Sequence, residues 1–221
     1  TPAQKVSGDF YDVITLPDDR VGVAIADVSG KGIPASLLMA ICHTSLRHYA
    51  QAYESPAEVL RKLNAVMSAE MRKDMFITLV YAVIDPAANT LTLARAGHEL
   101  PLHLHRTSNG EFIAEPVGSE GMALGMVPCD IFDEVIQDVT IPFAAGESFL
   151  LYTDGVTETT NLDDEEYSSK RLRNLFKSLR EEQPDRINQE IFESLEHFKG
   201  DSQHIDDITL LAVRRKSQQS T

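Results

Sequence analysis

A chain of 221 residues with 43% hydrophobic side chains can bury the core of one large domain, and its formal net charge of −14 argues against nucleic acid as a ligand, because faces that hold phosphodiester backbones are usually basic. The longest apolar stretches are broken by charge well short of the roughly 20 residues of a membrane span, and no signal peptide opens the chain, so a cytoplasmic domain without membrane contact of its own is expected, with membrane anchoring of the full-length protein through a preceding region left open. Cys42 and Cys129 lack the spacing of a metal or redox motif and read as buried thiols in a reducing compartment.

Residues 11–16 alternate apolar and polar, Pro17-Asp18-Asp19 predicts a turn, and 21–28 returns as an apolar run, together a β-hairpin. Pro34 suits a first helical turn, and 35–52 carries apolar residues at helical spacing. Ser55, Pro56 and Glu58 form a capping box before a second helix whose buried stripe is Val59, Leu60, Leu63, Val66 and Met67. Short β-like runs follow at 76–84, 90–96, 101–105, 112–117, 135–141 and 148–153, most of them expected as an antiparallel meander. A helical section over 168–199 breaks near Pro184, and 205–214 closes the chain as a strand. Blocks of strands and of helices predict an α+β fold, two antiparallel sheets packed together and covered by helices. The acidic loop 161–167 is the candidate linker. We expect one domain, residues 1–221 with a core of about 5–214, excised from a longer multidomain polypeptide, since the chain begins at Thr1 without a methionine.

Four acidic turns stand against these apolar runs: SGDFYD at 7–12, ADVSGKG at 26–32, YTDGVTE at 152–158 and DDIT at 206–209. Carboxylates gathered in a partly dry site repel one another, so they take up protons or divalent cations. Oxygen ligands without a Cys or His cluster favour Mg²⁺ or Mn²⁺, and bound cations would let an acidic site accept a phosphate substrate. The chemistry implied is metal-assisted phosphoryl transfer or hydrolysis. SGKG lacks the GxxxxGK[ST] spacing of a nucleotide loop and reads instead as a strand-to-helix turn in which Gly30 and Gly32 take unusual dihedrals. His103 and His105 share one face of a strand without a third ligand nearby, which disfavours zinc.

In their order, GDFYD, DVSGKG, AGH, TDGVTE and DDIT resemble the bacterial SpoIIE/RsbU-type branch of the metal-dependent type 2C (PPM) serine/threonine phosphatases, from Ser7 to about Arg214. The resemblance implies a four-layer α/β/β/α sandwich and hydrolysis of phosphoserine or phosphothreonine by water activated between two or more Mn²⁺ or Mg²⁺ ions. It implies Asp9 as the first metal ligand, Asp27 as the bridging carboxylate with the Val28 carbonyl beside it, and Asp154 and Asp206 as the remaining ligands. Asp207 is the alternative to Asp206, and their order is left open; Asp12 and Glu158 take supporting roles. His98 of AGH shapes a turn. Ser29 stands where many eukaryotic-type relatives carry a histidine, so leaving-group protonation must come from elsewhere. The helices after Asp27 are the element expected to carry regulation. The implied partner is a phosphorylated regulatory protein of the anti-sigma factor antagonist type, under an upstream sensor domain, with a homodimer left open. The alternative is a catalytically silent module of the same fold that sequesters a regulator.

Overall fold

The computed structural model describes residues 8–30, 32–72, 74–201 and 207–216. Its elements are β1 (Phe10–Thr15), β2 (Val21–Val28), α1 (Ile33–Ala52), α2 (Pro56–Glu70), β3 (Ile77–Asp85), β4 (Thr90–Ala96), β5 (Leu102–Arg106) and β6 (Phe112–Pro116). They continue with α3 (Cys129–Val135), β7 (Val139–Pro142), β8 (Ser148–Tyr152), α4 (Asp154–Thr157), α5 (Ser168–Ser178), α6 (Pro184–Lys199) and β9 (Leu210–Arg214). The described residues form two compact units, one within 8–99 and 118–142, the other within 100–117 and 143–216.

In the first unit an antiparallel sheet of order β1-β2-β3-β4-β7 lies against α1, α2 and α3. The hairpin turn holds Asp18 and Asp19 at φ 59° and 57°, the left-handed pair of a type I′ turn, and the Arg20 N–H closes it on the Pro17 carbonyl at 3.3 Å. Residues of β1 alternate buried and exposed, with Phe10 and Ile14 facing α1 and α2 in the core. Val23, Ile25, Val80, Ala82, Leu91 and Leu93, on the opposite face of the sheet, are also buried, which is why β2 and β3 read as continuous apolar runs.

Ser55 caps α2 as predicted, its Oγ accepting from the Glu58 N–H at 3.1 Å. A distant residue adds a second cap. Asp138 accepts from Ser55 Oγ at 2.6 Å and from the Ala57 N–H at 2.7 Å, placing a carboxylate at the positive end of the helix.

The second unit has an antiparallel sheet of order β6-β5-β8-β9, packed through Leu102, Leu104, Leu150 and Ala212 against α5 and α6. The middle strands are therefore not one meander: β4 pairs with β7, whereas β5 pairs with β6 and β8. The strand expected over 135–141 is shorter, because Val135 ends α3 and pairing begins at Val139. Phe132 is the one buried side chain of α3, and a single anchor leaves no helical period to read. The loop 161–167 is an ordered turn inside this unit, folded around Asn161 Oδ1, which accepts from the Asp163 and Glu165 N–H groups at 3.0 and 2.9 Å. Among the described residues no helix is long and apolar enough to cross a membrane.

Candidate active site

Asp9 and Asp27 each lie one residue beyond the Phe10–Ala26 pair of the β1–β2 ladder, so antiparallel register sets them across from one another. Gly8 completes this corner. A Cβ at Gly8 would stand 2.9 Å from the Val28 carbonyl oxygen, too close for an unshifted backbone, and in ordinary contact with Asp27 Oδ1 at 3.5 Å, so only glycine leaves that carbonyl uncrowded. An all-oxygen set of two facing carboxylates and a carbonyl, kept open by a missing side chain, fits a hard divalent cation.

The loop after β2 is pinned by Ser29. Its N–H donates to the Phe76 carbonyl at 2.9 Å, and its Oγ accepts from the Phe76 N–H at 2.7 Å. Thr78, the register partner of Asp27 on β3, hydrogen-bonds His98 Nδ1 through its hydroxyl at 2.8 Å, and the His98 carbonyl accepts from Arg95 Nη1 at 2.6 Å. His98 thus shapes the turn after β4, as expected, and also reaches the residue beside Asp27.

Asp12 stands on β1, three residues after Asp9. Its buried carboxylate accepts from Arg47 Nε and Nη2, both at 2.6 Å, and lies 2.8 Å from His43 Nε2, so it ties β1 to α1. Burial opposes its ionisation, but the hydrogen bonds and charges of Arg47 and His43 outweigh that and hold its pKa below the ordinary 3.8.

In the other unit Thr153, fully buried, joins two motifs. Its N–H donates to the Thr209 carbonyl at 3.1 Å, while its Oγ1 accepts from the Thr209 N–H at 3.0 Å and donates to the Asp207 carbonyl at 3.5 Å. Asp154 follows at the start of α4, and its carbonyl accepts from the Glu158 N–H at 2.8 Å, so Glu158 closes that short helix. Asp154 and Asp207 therefore project from neighbouring strand ends. Asp206 and His204 lie outside the described residues. Asp9, Asp27, Asp154 and Asp207 are all half-buried. Among the described residues no three His, Cys, Asp or Glu side chains form a metal-binding group. Arg47, His43, Thr78 and Thr153 escaped sequence reading, since each matters through a partner distant in the chain.

His103 and His105 stack with ring centroids 4.5 Å apart, and each meets a glutamate, His103 with Glu147 at 3.0 Å and His105 with Glu115 at 2.8 Å.

Two antiparallel sheets with their helices, and acidic motifs at strand ends, define a PP2C-type phosphatase fold. The PP2C phosphatase domain of the cell fate determinant SpoIIE from Bacillus subtilis superposes with a TM-score of 0.80 at 19% identity, over 98% of this chain and 61% of that one. RsbX in complex with magnesium superposes with a TM-score of 0.64 at 20% identity, over 95% of this chain and 87% of that one. The family profile of Stage II sporulation protein E matches residues 17–216, and the chain belongs to this SpoIIE family. It is also 30% identical over 215 residues to the phosphoserine phosphatase RsbU of Bacillus subtilis, covering 97% of this chain and 61% of that protein. The chain spans 61%, 37% and 50% of the lengths of RsbU, of IcfG from Synechocystis and of RsbP from Bacillus subtilis.

Proposed function

We propose that this chain is a metal-dependent protein serine/threonine phosphatase domain, one part of a longer cytoplasmic signalling protein. The observation that carries the reading is the pairing of motif carboxylates at strand ends, Asp9 across from Asp27 around the gap at Gly8, in a chain of the SpoIIE family. Asp9, Asp27, the Val28 carbonyl, Asp154 and Asp206 are the proposed ligands, with Asp207 as the alternative to Asp206. The oxygen donor set favours two or more Mn²⁺ or Mg²⁺ ions, in keeping with the magnesium held by RsbX. When bound, such ions activate water and neutralise the charge of the phosphoryl group.

The protein's own groups position and exclude. Asp9 and Asp27, across from one another and half-buried, repel each other until a cation neutralises them, so an anionic substrate is accepted only when the site is loaded. Ser29 Oγ accepts from the Phe76 N–H and shapes the loop; solvent is the proposed source of the proton for the leaving serine or threonine oxygen. A phosphocysteine route is disfavoured, because burial pushes the Cys42 thiol up to about 12 and leaves no thiolate at neutral pH. Likeness to the phosphoserine phosphatase RsbU supports a phosphoserine substrate, and the one proposed is a phosphorylated regulatory protein of the anti-sigma factor antagonist type.

The test is phosphate release from a phosphoserine peptide and from p-nitrophenyl phosphate under titrated Mn²⁺ and Mg²⁺, with Asp154→Ala as control. Metal-dependent turnover lost in the control is expected. Metal-independent turnover, or full activity of a folded Asp154→Ala protein, would defeat the assignment.

A further inference from the structure

Against a net charge of −14, residues 168–180 contain five of the chain's 20 Lys and Arg residues and no Asp or Glu. Lys170, Arg173, Asn174 and Lys177 fall on one flank of α5, at helical spacing, and with Ile113 and Ala114 of β6 they line an open cleft of about 400 Å³. Because β6 is the edge strand of its sheet, the cleft lies along a sheet margin, fixed there by Arg173 Nε donating to the Ala114 carbonyl at 3.2 Å. The remaining basic residues of the segment are engaged. Arg171 pairs with Glu165 at 3.6 Å and covers the Phe198 ring, and Arg180 lies over the Phe112 ring. Lys170 and Lys177 are exposed and make no hydrogen bond or ion pair with any described residue.

We propose that this cleft docks a short acidic stretch of a protein partner, with carboxylates on Lys170 and Lys177 and an apolar side chain resting on Ile113 and Ala114. Charge complementarity selects the sign of the occupant, and spacing selects its form. Lys170 and Lys177 are seven residues apart, about 10 Å along a helix axis, which an extended peptide spans in about three residues. Two carboxylates at positions i and i+3 therefore match both ammonium groups at once. A nucleic acid fits less well: the acidic chain repels a long polyanion, and no aromatic ring lines the cleft to stack a base. None of these residues belongs to the carboxylate motifs, and docking here does not require turnover.

Fluorescence polarisation at about 50 mM salt, where surface charges are weakly screened, would follow the labelled peptide GSELSEG, its neutral counterpart GSQLSQG and a single-stranded oligonucleotide. GSELSEG should bind and GSQLSQG should not. Charge reversal in K170E/K177E should weaken GSELSEG about fivefold or more, while K62E/R72E, the same change in net charge on the other unit, changes it less than about twofold. K170Q/K177Q is the second variant should the reversal disturb folding, checked by circular dichroism, and it should also lose binding. Hydrolysis of p-nitrophenyl phosphate should be the same in all of them. No binding of GSELSEG, equal binding of the neutral peptide, equal weakening by both reversals, or tighter binding of the oligonucleotide would overturn the proposal.

Discussion

Arg47 grips Asp12 with two parallel hydrogen bonds of 2.6 Å, joining the first helix to the strand that follows Asp9. Arg47 lies 14 residues beyond Ile33, about four helical turns into α1, so the clamp fastens the later half of that helix to β1. Because the folded pKa of Asp12 lies below the ordinary 3.8, its ionisation adds stability that is complete above that value and is lost as pH falls through the lower folded value. Thermal midpoints followed from roughly pH 7 to 3 should fall in the wild type at the acid end, and Asp12→Asn should flatten that fall while lowering the midpoint at neutral pH. An unchanged acid slope in Asp12→Asn would place the titration elsewhere. Arg47→Ala should speed amide exchange in α1 more than in α2.

Gly8→Ala tests the corner beside Asp27. Its methyl group would press on the Val28 carbonyl at 2.9 Å, so that oxygen must shift. Mn²⁺ affinity measured by titration calorimetry should drop about 10- to 100-fold, a loss of the size seen when groups that orient metal ligands are removed. Wild-type affinity in the alanine protein would mean that Gly8 does not border the metal site.

Gly32 sits at φ 86° and ψ −161° before α1, and a Cβ there meets nothing within 4 Å. Its requirement is conformational, in a region that only glycine occupies readily. Gly32→Ala and Gly32→Val should therefore cost similar amounts, about 1–3 kcal/mol by denaturant titration, and both should impair metal binding. A much larger loss for valine would show steric crowding instead.

Asp138 and Ser55 act together at the start of α2. Each single alanine substitution should cost about 1 kcal/mol, and the double mutant should cost less than the sum, because the two side chains share one hydrogen bond and one helix end. Strict additivity in the double-mutant cycle would show that they cap independently.

Asp206→Ala and Asp207→Ala separate ligand from neighbour. Thr153 anchors this segment through the Asp207 carbonyl, a backbone contact that alanine keeps. Asp206→Ala should abolish metal-dependent turnover, and Asp207→Ala should reduce it less; the reverse order in kcat would exchange their roles.

Much of the architecture was readable from local signals. The β1–β2 hairpin announces itself by alternation on either side of Pro17-Asp18-Asp19, α2 by its serine cap, and the break between α5 and α6 by Pro184. Local signals failed where one anchor or one partner decides. Phe132 alone holds α3, and β7 has four residues whose place beside β4 depends on a strand about forty residues earlier. Sheet membership of β5 and β6 was equally hidden, since a short alternating strand pairs with whichever edge packing offers.

The sequence by itself determined the family, through acidic motifs in a fixed order, and the elements that carry them, because strand, turn and helix preferences are set by neighbours a few residues apart. Only the tertiary structure decided which residues serve those motifs: Arg47 and His43 for Asp12, Thr78 and His98 near Asp27, Thr153 for Asp207, and the basic cleft of α5 against β6. Such pairings join residues tens of positions apart. Their energy depends on distance and burial in three dimensions, which no local pattern encodes.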